Sequence, residues 1–170
     1  MKELSLNILD VAKNSVTAGA SRVDVTLTED RQGWLTISIA DNGKGMSPEF
    51  LAQVTDPFTT TRTTRKVGLG LPLYRMAAEQ TGGTLDIQSA LGVGTTVTAR
   101  FDRTHLDCPP LGDLSGTVAL LIQGSPELTW TYCHTTPTGT AELSTEELKA
   151  VLGDDISLAE PEVFAWIEAY

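Results

Sequence analysis

The chain has 170 residues, 41% of them hydrophobic, which is enough to bury a core and too apolar for disorder. Its net charge of −10 is uneven: residues 1–101 hold ten acidic and ten basic side chains, residues 102–170 twelve and two. So acidic a surface repels phosphodiester backbones and anionic lipid, which excludes nucleic acid and membrane surfaces as partners.

Residues 5–18 have the periodicity of an amphipathic helix, with Leu6, Leu9, Ala12 and Val16 on one face and Gly19 as its stop. Asn7, Asp10, Asn14 and Thr17 stack along the opposite side. That stripe reads as a solvated face or a functional one, and two asparagines, weak helix formers, tilt it towards the functional one. Residues 22–29 and 34–40 alternate with period two and form a hairpin around the turn at 30–33. Asp41 then stands at a strand end, where a pocket would open. Asn42-Gly43 turns the backbone, Gly45 removes a second Cβ, and Ser47-Pro48-Glu49 opens a short helix over about 48–54.

The run 59–66 contains five threonines and three basic residues. It reads as an ordinary loop or as a lid over a triphosphate, since it lies between two glycine turns. The second turn, Gly68-Leu69-Gly70-Leu71, opens a helix over about 70–80 whose unpaired N–H groups suit a phosphate. Residues 84–89 and 95–101 alternate again and make a second hairpin. The expected fold for 1–103 is α+β, a two-layer sandwich with helices on one face of a mixed, mostly antiparallel sheet.

Pro109-Pro110-Leu111-Gly112-Asp113 reads as a boundary, so residues 104–170 are expected to form a small acidic α+β appendage. Its elements are a helix at 113–123, strands at 128–135 and 140–143, and helices at 144–152 and 160–170. Ser144 and Glu147 have capping-box spacing. Trp130, Tyr132, Phe164, Trp166 and Tyr170 read either as one small core or as anchors for a protein partner or a second copy of the chain.

Several alternatives fail. GLGLPL lacks the third glycine and the parallel βαβ setting of a dinucleotide fold, and no GxxxxGK[ST] is present. His105 and His134 have no ligand-type neighbours at metal spacing and read as surface or loop residues. Cys108 and Cys133 form no CxxC pair, no signal peptide is visible, and no apolar run reaches the ~20 residues of a membrane span. A reduced, cytoplasmic setting follows.

In order, Asp10-x-x-x-Asn14, Asp41-x-Gly43-x-Gly45, Asp56-Pro57-Phe58 with its Thr/Arg run, Gly68-x-Gly70 and Gly92-x-Gly94-Thr95 resemble the GHKL superfamily over about residues 5–101. That superfamily holds histidine-kinase catalytic domains, type II topoisomerases, mismatch-repair ATPases and anti-sigma-factor kinases. The resemblance implies a Bergerat-type ATP-binding fold and ATP with Mg²⁺ as cofactors. It implies that Asn14 ligates Mg²⁺, that Asp41 accepts from the adenine amino group, that Gly43 and Gly45 admit the base and that Met46 packs on it. Gly68, Leu69, Gly70 and Leu71 would line the phosphate turn, Thr60, Thr61, Arg62 and Lys66 would form the lid, and Thr95 or Thr96 would close the floor. Asp10 would be the catalytic base, although the hydrolytic branches carry Glu there; Asp is one methylene shorter with a similar intrinsic pKa of about 3.9.

A phosphoacceptor hairpin ahead of the ATPase domain is absent, so the chain is not expected to be a complete sensor kinase. The MKELSLNILD start and the C-terminal appendage resemble a stand-alone bacterial hydrogenase-associated group. The expected function is a Mg-ATP-dependent ATPase or protein kinase regulating a protein partner, or a non-hydrolysing module whose lid signals to one, such as a hydrogenase subunit.

Overall fold

A computed structural model of the chain describes residues 3–54, 70–153 and 156–169. The elements run α1 (Leu4–Thr17), β1 (Arg22–Glu29), β2 (Trp34–Asp41), α2 (Pro48–Val54), α3 (Gly70–Gln80), β3 (Thr84–Ala90) and β4 (Gly94–Asp102). Then follow α4 (Leu114–Gly124), β5 (Thr129–Thr136), β6 (Gly139–Ser144), α5 (Thr145–Leu152) and α6 (Pro161–Ala169). The fold is α+β, a mixed six-stranded sheet in the order β3-β4-β2-β1-β5-β6. All neighbours are antiparallel except β1 and β5.

Alternation dictates the layers. Val23, Val25, Leu27, Leu35, Ile37, Ile39, Val97, Ala99 and Phe101 are buried at every second position, while the intervening Thr26, Thr36, Ser38 and Thr98 are not. The helices cover the apolar side. α1 rests there between α3 and α4, and this two-sided cover shifts and widens its buried arc relative to the expected stripe. The core-facing residues are Leu4, Ile8, Val11 and Ala12, whereas Leu6, expected inside, is 44% exposed.

The same cover buries Asn7 to 1% exposure, so its end of the polar stripe is neither a solvated face nor one that reaches solvent. Among the described residues, both polar atoms of the Asn7 amide, and the Tyr74 hydroxyl on α3, lack a hydrogen-bond partner. Burial pushes the Tyr74 pKa up.

Residues beyond 104 extend the same sheet, with Val23 opposite Trp130 and Val25 opposite Tyr132. The Pro-Pro stretch also caps α1: Leu4 N–H donates to the Pro110 carbonyl and Ser5 N–H to that of Leu111, each at 2.9 Å. Trp130 is buried, and its indole N–H donates to the Ser125 carbonyl at 2.9 Å, so the aromatic load serves the core at this position. Trp166 stays half exposed, and Tyr170 lies outside the described residues. Ser144 takes the expected N-cap position of α5, but its side chain makes no capping bond; the residue also closes the β5–β6 ladder opposite Thr131.

His134 corrects another expectation. It sits in β5 with its side chain 18% exposed and its Nε2 2.6 Å from Glu29 Oε2. Arg103 donates to Glu29 Oε1 at 2.5 Å, and the Tyr132 hydroxyl lies 3.4 Å from His134 Nδ1. Burial raises the Glu29 pKa, but the hydrogen bonds and charges of His134 and Arg103 outweigh it and hold the carboxyl below its ordinary value. Burial, with Cys133 and Glu29 nearby, pushes the Tyr132 hydroxyl up to about 12. No described helix is long and apolar enough to cross a membrane.

Candidate functional site

β2 carries the chain out of the sheet at Asp41, beside the last turn of α1, and a cavity of about 400 Å³ opens there. Its walls are mostly apolar, from Val11, Met46, Phe50, Leu71, Leu91 and Val97. Asn14, Ser15, Asp41, Lys44 and Thr95 supply polar groups. This is the composition of a small-molecule site: apolar surface for a flat ligand and a few polar atoms to orient it.

Asp41 is held from two sides. The Ser15 hydroxyl donates to Oδ2 at 2.6 Å and the Gly43 N–H to Oδ1 at 2.9 Å. A carboxylate offers about four lone-pair positions, so two bonds aim it without exhausting it. The loop that follows is moored at both ends. Asn42 Oδ1 accepts from the Ser21 and Arg22 N–H groups at 2.9 and 3.0 Å, Lys44 N–H donates to the Ala18 carbonyl, and the Lys44 carbonyl accepts from Gly92 N–H at 2.8 Å.

Ser89 finishes the mooring. Its hydroxyl accepts from Met46 N–H at 2.8 Å and donates to the Gly94 carbonyl at 3.1 Å, which leaves Thr95 as the donor in their 2.7 Å contact. Gly45 has φ +72°, and a Cβ there would collide with the Ala90 carbonyl. A Cβ at Gly94 would strike the Asp41 carbonyl. These two glycines answer to close backbone approach within the protein.

Of the residues singled out by sequence, the structure brings Asn14, Asp41, Gly45, Met46, Leu71 and Thr95 together around the cavity. Gly43 is buried against Ala18, just behind the lining. Thr96 alternates to the opposite face of β4 from Thr95 and Val97, so Thr95 is the threonine at the cavity. Asp10 is exposed and does not line the cavity. Thr60, Thr61, Arg62, Lys66, Gly68 and Leu69 lie outside the described residues, and Gly70 is the first residue of α3.

Sequence reasoning missed Ser15, Lys44, Phe50 and Leu91 as lining residues. Ser15 had a signal, since it follows Asn14 by 100° of helix rotation and so turns from the stripe towards Asp41. Among the described residues no three His, Cys, Asp or Glu side chains converge as a metal cluster.

The model of the histidine kinase-, DNA gyrase B- and HSP90-like ATPase family matches residues 1–105. The chain is 28% identical over 108 residues to a putative NtrY-like sensor histidine kinase of Rickettsia conorii, covering 63% of this chain and 18% of that protein. It is 37% identical over 106 residues to the histidine protein kinase DivJ of Caulobacter vibrioides, covering 59% of this chain and 17% of that protein. The chain therefore spans less than a fifth of the length of these curated relatives. Its fold is similar to that of the Aquifex aeolicus MutL ATPase domain complexed with ADP, with TM-score 0.54, 17% identity, and coverage of 89% of this chain and 69% of that one. The N-terminal domain of a DNA repair protein is similar too, at TM-score 0.55 and 16% identity over 89% of this chain and 57% of that one.

Proposed function

Because the chain belongs to the histidine kinase-, DNA gyrase B- and HSP90-like ATPase family, we propose that its cavity binds Mg·ATP and that it acts as an ATPase or protein kinase on a protein partner. The observation that carries this reading is Asp41, aimed by Ser15 and Gly43 at the end of an apolar cleft. A carboxylate with spare lone pairs accepts from an exocyclic amine, which adenine has and guanine lacks at that position, and Val11, Met46, Leu71 and Val97 suit the faces of the ring.

Mg²⁺ fits the donor set as a phosphate-borne ion. It keeps several waters and needs only one or two protein oxygens, so the Asn14 amide at the cavity suffices without a protein cage. When bound, the nucleotide and its ion supply the transferable phosphoryl group and neutralise charge developing on it. This chain's residues orient and select: Asp41 fixes the base, Thr95 is pinned through Ser89 at the floor, and Lys44 offers a cation at the rim.

The second reading, a nucleotide-dependent module without turnover, draws on Asp10. It is exposed and does not line the cavity, one helical turn from Asn14, whereas a general base has to reach the attacking water. On either reading the resemblance of the N-terminal decapeptide makes a hydrogenase subunit a candidate partner, and the acidic residues beyond 104 are proposed to meet it.

Calorimetry with Mg·ATP and Mg·GTP tests the core of the proposal. ATP should bind with clear preference, and Asn14→Ala should lose the Mg²⁺-dependent part of the affinity while folding normally. Equal affinity for the two nucleotides sinks the adenine assignment. Phosphate release with and without partner then separates the two readings.

A further inference from the structure

The two edges of the sheet are finished differently. On β3, Ser89 near the end of the strand is tied to the loop after β2 by the Met46 N–H, α2 packs against the strand, and Asp86 and Gln88 stand exposed along it. β6 has no comparable cover: Gly139, Thr140, Ala141 and Glu142 are all exposed, and among the described residues no strand pairs with its outer side. Proteins blunt such edges with charged side chains, lysine above all, with proline or with bulges, and Glu142 is the one charge on this strand. β6 reads Gly-Thr-Ala-Glu-Leu-Ser, has neither lysine nor proline, and pairs with β5 without a break from Thr136–Gly139 to Thr131–Ser144. A row of backbone N–H and C=O groups is left facing outward.

Charge selects the occupant. Glu142 lies on the strand, and Glu146 and Glu147 open α5 directly after it, within a region of twelve acidic and two basic residues. A second copy would bring its own net charge of −10 to this edge, and like charges across a strand pair destabilise it. Period-two geometry then sets the pattern of the incoming strand. Glu142 lies on the open face with Thr140 and Ser144, whereas Ala141 and Leu143 lie on the helix-covered face, Leu143 being buried.

We propose that the outer edge of β6 receives an extended, basic strand of a partner protein, about six residues long, with Lys or Arg on the Glu142 side and small apolar residues on the Ala141 side. This rests on the reading that residues beyond 104 meet a protein, and it is independent of the nucleotide.

A fluorescent hexapeptide of alternating lysine and valine, titrated onto the full chain and followed by amide exchange, tests the assignment. Binding should saturate, weaken with salt, and slow exchange at residues 139–144. Glu142→Lys and Thr140→Lys, both at exposed positions, should each weaken it roughly tenfold, and a glutamate–valine peptide should not bind. Mg·ATP affinity of both variants should equal that of the parent, which keeps loss at the edge distinct from damage to the cavity. Protection elsewhere within residues 104–170 overturns the edge while leaving a protein-binding C-terminal region. No binding at all overturns both. A dimer of the chain that the lysine variants abolish would make the occupant a second copy and overturn the basic partner.

Discussion

The two ends of β1 and β2 are finished in different materials. At one end Asp41, Gly45 and Thr95 hold a loop open around a cavity, and polar atoms remain for something from outside. At the other, Glu29 is held by Arg103 and His134 at 2.5 and 2.6 Å, so side chains of the protein itself stand where a ligand would have to enter. The contrast teaches how to tell a binding site from a clamp in one sheet. Both present a well-held carboxylate at a strand end, but only the first faces an apolar cleft, and only the second is met by cationic side chains.

Four substitutions break or sharpen that contrast. Gly45→Ala should cost about 2–5 kcal/mol, combining the left-handed backbone with a clash against a main-chain carbonyl that cannot swing away. The urea midpoint reads it, and a loss below 1 kcal/mol would mean that the loop relocates easily. Asp41→Asn should leave stability nearly intact yet weaken Mg·ATP by about 1–3 kcal/mol, since one acceptor becomes a donor pair. Calorimetry checks it, and unchanged affinity would demote the cavity end to a second clamp.

Asn7→Leu, between the two ends on α1, should stabilise the fold by about 1–2 kcal/mol, because it removes a buried amide neither of whose polar atoms is satisfied among the described residues. A destabilised variant would point to a partner that Asn7 finds in solution. The smallest effect is at the clamp. Glu29 is held below its ordinary value, so its contribution is fully present above about pH 4.3, the unfolded value, and is lost as pH falls through the lower folded one. Glu29→Gln should therefore lower stability at pH 7 but flatten its acid-side decline, as read from melting temperatures between pH 3 and 7.

Local grammar carried most of the fold. Strand alternation, glycine stops and the Pro48 helix start put each described element within a residue of its expected limits, because those signals act over a few neighbours. Non-local facts were illegible. Nothing within residues 129–136 announces that they run parallel to β1, and nothing in His134 announces Glu29, 105 residues away. The α1 face was misjudged for the same reason, since flanking helices bury an arc that composition alone makes half polar. At the candidate site Asp41 and Gly45 were legible as cavity positions, whereas the charge of Asp10 marked a position off the lining and Lys44 was passed over. Of the apolar walls, Met46 and Leu71 were legible, but Phe50 and Leu91 were not, because they look like any hydrophobic residue until the loops converge.

The parallel pairing of β1 with β5 also has a consequence for how the protein comes into being. The Thr131–Asp24 bond joins residues 107 apart, so β1 acquires its second neighbour only after everything between has been made. Loop closure over such a span is entropically costly and is repaid late, which favours slow folding. During synthesis the emerging half that carries the candidate site must wait with one strand edge bare, a state in which nascent chains pair with the wrong neighbour. Expression yield, more than melting temperature, is then where damage to β5 should first register.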